Sequence, residues 1–104
     1  MGEVTSDQVL SDESCVAFRD INPQAPTHVL IVPRKHIENA GTIQTGDAQI
    51  LESMFLMAQE VAAIQGIDKS GYRLIFNTGE DALNSVAHLH MHLLGGRAMG
   101  WPPG

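Results

Sequence analysis

The strongest pattern in the chain is the spacing of its apolar residues between Asp47 and Gln65. They fall at Ile50, Met54, Met57, Ala58, Val61 and Ile64, three and four positions apart, which gathers them on one face of a helix. Asp47 or Thr45 is suited to cap the start of that helix, and Gly66 to end it. Elsewhere the apolar runs are short, rich in β-branched and aromatic residues, and bounded by turn formers. They predict strands over 8–10, 15–19, 28–32, 72–76 and 86–94. The segment Ser11-Asp12-Glu13-Ser14 reads as a turn. Asn22-Pro23-Gln24-Ala25-Pro26 reads as a loop, because each proline lacks an amide proton and restricts its predecessor. Residues 34–40 read as either loop or a single helical turn, and Pro102-Pro103-Gly104 as an extended tail. Five strands with one long helix after the third predict an α+β domain over residues 7–104, behind a flexible start at 1–6. Its sheet has five strands, mostly antiparallel, with the helix on one face.

Three of the five histidines lie in one window, His88-Leu89-His90-Met91-His92. In a strand, alternate side chains share a face, so the three imidazoles line one side while Leu89, Met91 and Leu93 face the helix. Histidines merely exposed to solvent are the plain alternative, and the large apolar residue in every gap weighs against it. Zinc is a sharper rival, since paired histidines on a strand are common ligands. At a rise of about 3.3 Å per residue, however, His88 and His92 stand roughly 13 Å apart. Bonds of about 2.0–2.1 Å do not gather all three rings on one ion. No metal and no cofactor are therefore expected. An elongated ligand suits the row better: a phosphate offers several oxygens, and a nucleoside can extend from it. Because histidine titrates near neutrality, one ring can act as nucleophile while its neighbours donate protons or hydrogen bonds.

Composition narrows the choice of partner. The 104 residues carry 12 Asp and Glu against 6 Lys and Arg, a net charge of −6. That balance disfavours nucleic-acid backbones and anionic membrane surfaces. In so acidic a chain, imidazoles and backbone amides are the natural anion binders. The longest apolar run, Met54-Phe55-Leu56-Met57-Ala58, is far too short to span a bilayer. The first residues show neither a basic region nor an apolar stretch, and Cys15 is the only cysteine. A cytoplasmic location is the expectation.

His88-Leu89-His90-Met91-His92-Leu93-Leu94 resembles the histidine triad signature, His-φ-His-φ-His-φ-φ with φ apolar. Asp20-Ile21-Asn22-Pro23-Gln24-Ala25-Pro26-Thr27-His28 is similar to the Asp-Ile-x-Pro-x-Ala-Pro-x-His stretch of its nucleotide-binding branch. Pro33-Arg34-Lys35-His36-Ile37 and the ending from Gly95-Gly96-Arg97 to Trp101-Pro102-Pro103-Gly104 resemble the same branch. The likeness runs from Val9 onward, with three separated motifs in the right order.

The resemblance implies a histidine-triad fold and a nucleoside 5′-phosphoramidate hydrolase acting on purine nucleoside phosphoramidates and releasing the nucleoside monophosphate. By position His90 would be the nucleophile, forming a nucleotidyl-histidine intermediate. His92 would hold a non-bridging phosphate oxygen, Ser85 would hydrogen-bond near the leaving group, and His28 and His88 would support proton movement. Asp20 would accept from the ribose hydroxyls, with Asn77 beside ribose and phosphate. Ile21, Phe18 and Leu30 would contact the base, while Leu83, Asn84 and Val86 would form the phosphate-side loop. The branch forms homodimers, so Trp101 would pack at the interface and reach the partner's site. His36 is read as structural, and Cys15 as an inert small hydrophobe.

This chain departs from the branch where Ala82-Leu83-Asn84 replaces Gly-Gly-Gln, and where Ala87 and Gly100 stand for larger or polar residues. A shorter stretch before the first strand also implies a less complete base clamp. A non-catalytic purine-nucleotide-binding module is the alternative from another class. Dinucleoside polyphosphate hydrolysis, as in the fragile-histidine-triad branch, is a further enzyme reading; Ser85 and the tail weigh against it. A nucleotidyl transferase is disfavoured by His92, where that branch usually has glutamine. A metal-dependent hydrolase is the remaining alternative.

Overall fold

Antiparallel pairing builds the whole sheet. The computed structural model describes residues 7–104; the flexible start expected at 1–6 lies outside the described residues. Strands β1 (Gln8–Ser11), β2 (Cys15–Arg19) and β3 (Thr27–Pro33) precede the helix α1 (Ala48–Ile64), and β4 (Tyr72–Ile75) and β5 (Met91–Gly95) follow it. Their spatial order is β1-β2-β3-β5-β4, and each neighbouring pair is antiparallel. The fold is thus the α+β arrangement expected, with the last strand inserted between β3 and β4. Short 3₁₀ turns occupy Ala40–Thr42, Thr45–Asp47 and Glu80–Ala82. No helix among the described residues is long and apolar enough to cross a membrane.

The pleat divides the sheet into two different faces. Cys15, Ala17, Val29, Ile31, Met91 and Leu93 are sealed in the core with Met54, Met57, Ala58 and Val61 of α1. On the opposite face, Phe18 pairs with Leu30, Leu30 with His92, and His92 with Ile75. This row crosses four strands on the side away from the helix, and the candidate chemistry is assembled there.

Local rules explain the ends of α1 only in part. Its C-terminus closes in a Schellman motif: Ile67 N–H donates to Ala62 O at 2.9 Å and Gly66 N–H to Ala63 O at 3.1 Å. Gly66 stands at φ 73°, where glycine avoids a Cβ clash. Asp47 occupies the N-cap position but makes no side-chain cap bond to the helix, contrary to expectation. Its carboxylate is already committed, accepting from Lys35 Nζ and from the Gln44 amide, each at 2.9 Å. The Lys35 ammonium and those hydrogen bonds hold its pKa below the usual carboxylate value. Ile64, read as part of the buried stripe, is 57% exposed, and Ala62 is buried in the last turn instead.

The fifth strand is shorter than its pattern suggested. Pairing begins at Met91, so His88 and His90 lie in the irregular segment before β5 rather than within it. Pro33, which ends β3, has no amide proton to continue the ladder. Its carbonyl binds the His88 side chain, while the Leu89 amide donates to Ile37 O at 2.6 Å. Alternation nevertheless survives: Leu89, Met91 and Leu93 are buried and the three histidines between and beside them are half-buried.

Candidate active site

Four histidines have their tautomers fixed by groups that can act in only one sense. The Gln24 backbone N–H donates to His28 Nδ1 at 3.0 Å, so the proton of neutral His28 resides on Nε2. That Nε2 lies 2.8 Å from His92 Nδ1 and therefore donates to it, leaving the His92 proton on Nε2. His90 Nδ1 is 2.8 Å from the His88 carbonyl, which only accepts, so the free lone pair of His90 is on Nε2. His88 Nε2 donates to Pro33 O at 2.9 Å; its Nδ1 accepts from His36 Nδ1 at 3.2 Å. The His90 and His92 ring centroids are 5.1 Å apart. The site thus offers a nucleophilic nitrogen on one ring and a hydrogen-bond donor on its neighbour.

Burial favours the neutral forms of His28 and His92. Desolvation lowers the pKa of His28, against the opposing influence of Asp20. His92 is lowered first by desolvation, then by the neighbouring His90 and His28. A neutral His92 is required, since a protonated Nδ1 would meet the His28 Nε2 proton head on.

Asp20, His28 and His92 each bring a ligand-capable atom within 4.8 Å of the others, and the donor set can be tested for a metal. Two nitrogens on tetrahedral zinc, each about 2.0–2.1 Å from the ion, stand roughly 3.3 Å apart. Here they are 2.8 Å apart, the length of a hydrogen bond. Metallation of His28 Nε2 would also move its proton to Nδ1, against the Gln24 amide. The trio fits a hydrogen-bonded relay and does not fit a metal.

Two hollows adjoin the histidines, and a third connects to one of them through Val86. Phe18, Leu30, Val32, Val86, His88 and His90 surround a nearly apolar one of about 380 Å³, suited to a planar aromatic group. His28 and His92 line another of about 380 Å³ with Asn77 and Arg73. A third, about 620 Å³, is lined by Leu83, Asn84, Ser85, Val86 and Ala87 together with Glu38 and Glu80. Val86 belongs to both the first and the third, joining the surroundings of His90 to the Ser85 loop. In that loop Leu83 has φ 63°, a left-handed conformation that costs a non-glycine residue about 1–2 kcal/mol.

The structure gathers most of the expected residues, with differences in detail. Asp20 Oδ2 lies 3.5 Å from His28 Nε2, and its Oδ1 accepts from the Asn22 amide at 2.8 Å. Ile21 is 90% exposed and lies outside these hollows. His88, expected to support proton movement, has both ring nitrogens engaged by the protein and so holds the segment before His90 in place. Trp101 is 82% exposed, with the Arg73 guanidinium 5.9 Å from its ring centroid and Arg73 Nη2 donating to Gly100 O. His36, Gln24 and Arg73 were not marked by the sequence as site residues. Their partners lie on other elements, and only Gln24, beside the two prolines, carried any local signal.

Comparison with known proteins follows the same lines. The HIT domain model matches residues 1–99. A 14 kDa zinc-binding protein of Zea mays is 45% identical over 104 residues, spanning 98% of this chain and 80% of the relative. A HIT family hydrolase from Legionella pneumophila superimposes with a TM-score of 0.94 at 45% identity, covering 99% of this chain and 92% of that one. A histidine triad nucleotide-binding protein from Candida albicans gives 0.79 at 27% identity, over 97% and 77%.

Proposed function

The chain belongs to the HIT domain family, and from that premise we propose that it is a nucleoside 5′-phosphoramidate hydrolase using His90 as nucleophile. One observation carries the reading: the His88 carbonyl fixes the His90 proton on Nδ1 and frees Nε2. In this mechanism Nε2 attacks the α-phosphorus as the P–N bond to the amine breaks. The departing amine takes a proton delivered through Ser85 from solvent. Water then attacks the nucleotidyl-histidine, its proton is released, and nucleoside monophosphate leaves as His90 Nε2 regains its lone pair. The His92 Nε2 proton faces the charge that grows on a non-bridging oxygen, and His28 holds it there.

The base would stack on Phe18 and Leu30, with Asp20 and Asn77 toward the ribose. The loop of Leu83, Asn84 and Val86 would flank the phosphate. The names of the Legionella hydrolase and the Candida nucleotide-binding protein support hydrolysis and nucleotide binding respectively. A homodimer is part of the proposal. Among the described residues the outer edge of β4 has no strand beside it, and Phe55, Leu56 and Ile64 are exposed apolar residues of α1. A second copy would cover both, with Trp101 at its border. A cytoplasmic location suits the buried Cys15, whose thiol burial pushes up to about 11, leaving it unreactive.

An adenosine phosphoramidate with a fluorogenic amine tests the activity. Release of the amine by the wild-type chain and its loss in His90→Ala are expected. Binding of nucleoside monophosphate without turnover would leave the non-catalytic module in its place.

A further inference from the structure

The third hollow has no role beyond flanking phosphate, and one exposed side chain on its wall, Leu83, is held at a cost. Leu83 ends the 3₁₀ turn Glu80–Ala82 in the left-handed conformation, its amide donating to Glu80 O at 2.9 Å. The next amide, Asn84 N–H, donates to Gly79 O at 3.1 Å, so the turn dictates the conformation. Glycine would occupy this position without strain. The isobutyl group gains nothing from the core in return, being 86% exposed. Strain that brings no packing points to a use at the surface.

Its location suggests which use. Leu83 and the exposed Val86 stand on the wall of a cavity that also holds Ser85, and Val86 extends that wall to His90. A group leaving the phosphorus on the Ser85 side would emerge into this space. We propose that Leu83 and Val86 form an apolar subsite for the amine half of the substrate, selecting phosphoramidates of apolar primary amines. The inference rests on the hydrolase reading and specifies its leaving group. Glu38 and Glu80, which also line this hollow, add a bias against amines that carry a carboxylate.

The test compares two adenosine phosphoramidates, one of phenethylamine and one of methylamine, on wild type, Leu83→Asn and Leu83→Met. Asparagine tolerates the left-handed backbone but removes the apolar group, whereas methionine keeps it. The kcat/KM ratio of phenethylamide to methylamide should fall roughly ten-fold in Leu83→Asn. The fall should reside mainly in KM, and Leu83→Met should keep most of the wild-type ratio. A ratio unchanged in Leu83→Asn, with both substrates slowed alike or neither slowed, overturns the subsite while the hydrolase reading stands. Failure of the wild-type chain to cleave either compound overturns both.

Discussion

His28 Nε2 and His92 Nδ1 meet at 2.8 Å, and the proton between them belongs to His28. The Gln24 amide decides this from the far side of the His28 ring. A single backbone group in a proline-flanked loop therefore leaves the donor of His92 on Nε2, which the proposed mechanism directs at a phosphate oxygen. Removing His28 should leave His90 in place while freeing His92 to rotate and exchange tautomers. We predict that His28→Ala lowers kcat on the order of 10²-fold. Steady-state kinetics at neutral pH checks this, and a change confined to KM would contradict it.

Acid should act on the same pair. Desolvation depresses both His28 and His92 below the ordinary value of 6.5, so the unfolded chain takes up these protons more readily than the folded one. Their contribution to stability is complete above about pH 6.5 and is lost as pH falls through the depressed folded values. Melting temperature should be level just above neutrality and decline below it, with kcat/KM declining in parallel. A melting temperature that rises on acidification from pH 7 to 5.5 would contradict the neutral pair.

Metal should be dispensable. The 2.8 Å separation and the Gln24 donor oppose zinc on His28 and His92. Activity is predicted to persist after dialysis against a strong chelator, and micromolar zinc should not restore or raise it. Loss of activity on chelation, recovered by zinc alone, would contradict the relay.

The row of imidazoles depends on the residues between them. Met91 is fully buried between His90 and His92 in sequence and packs into the sheet–helix core. Met91→Ala should cost about 2–5 kcal/mol of stability, read by denaturant unfolding. Gly96→Ala should also destabilise, because Gly96 has φ 89° and an added Cβ would sit 2.8 Å from Pro26 Cβ. A neutral effect at either position would show that the site's framework is more adaptable than its packing indicates.

Much of this molecule could be read from local pattern, and the rest could not for identifiable reasons. The helix followed from apolar residues three and four apart, and the alternation over 88–93 placed Leu89, Met91 and Leu93 inside. The early end of β5 did not follow, because Pro33 acts on residues 86–90 only once the sheet brings them opposite. Asp47 looked like a helix cap until Lys35 and Gln44 supplied competing donors. His36 was read as structural, but what it holds could not be named, because its partner, His88, is 52 positions away. The left-handed angle of Leu83 had one sequence signal, the glycine that the resembled branch carries at this position; the exposure of its side chain had none.

The central claim concerns one nitrogen atom. Rapid mixing with an adenosine phosphoramidate, an alkaline quench and mass spectrometry of the digested chain would locate any covalent intermediate. The account predicts an added nucleotidyl group on the peptide containing His90, assigned to its Nε2 and absent from His90→Ala. Turnover with no adduct at any time, or an adduct on another residue, would contradict it.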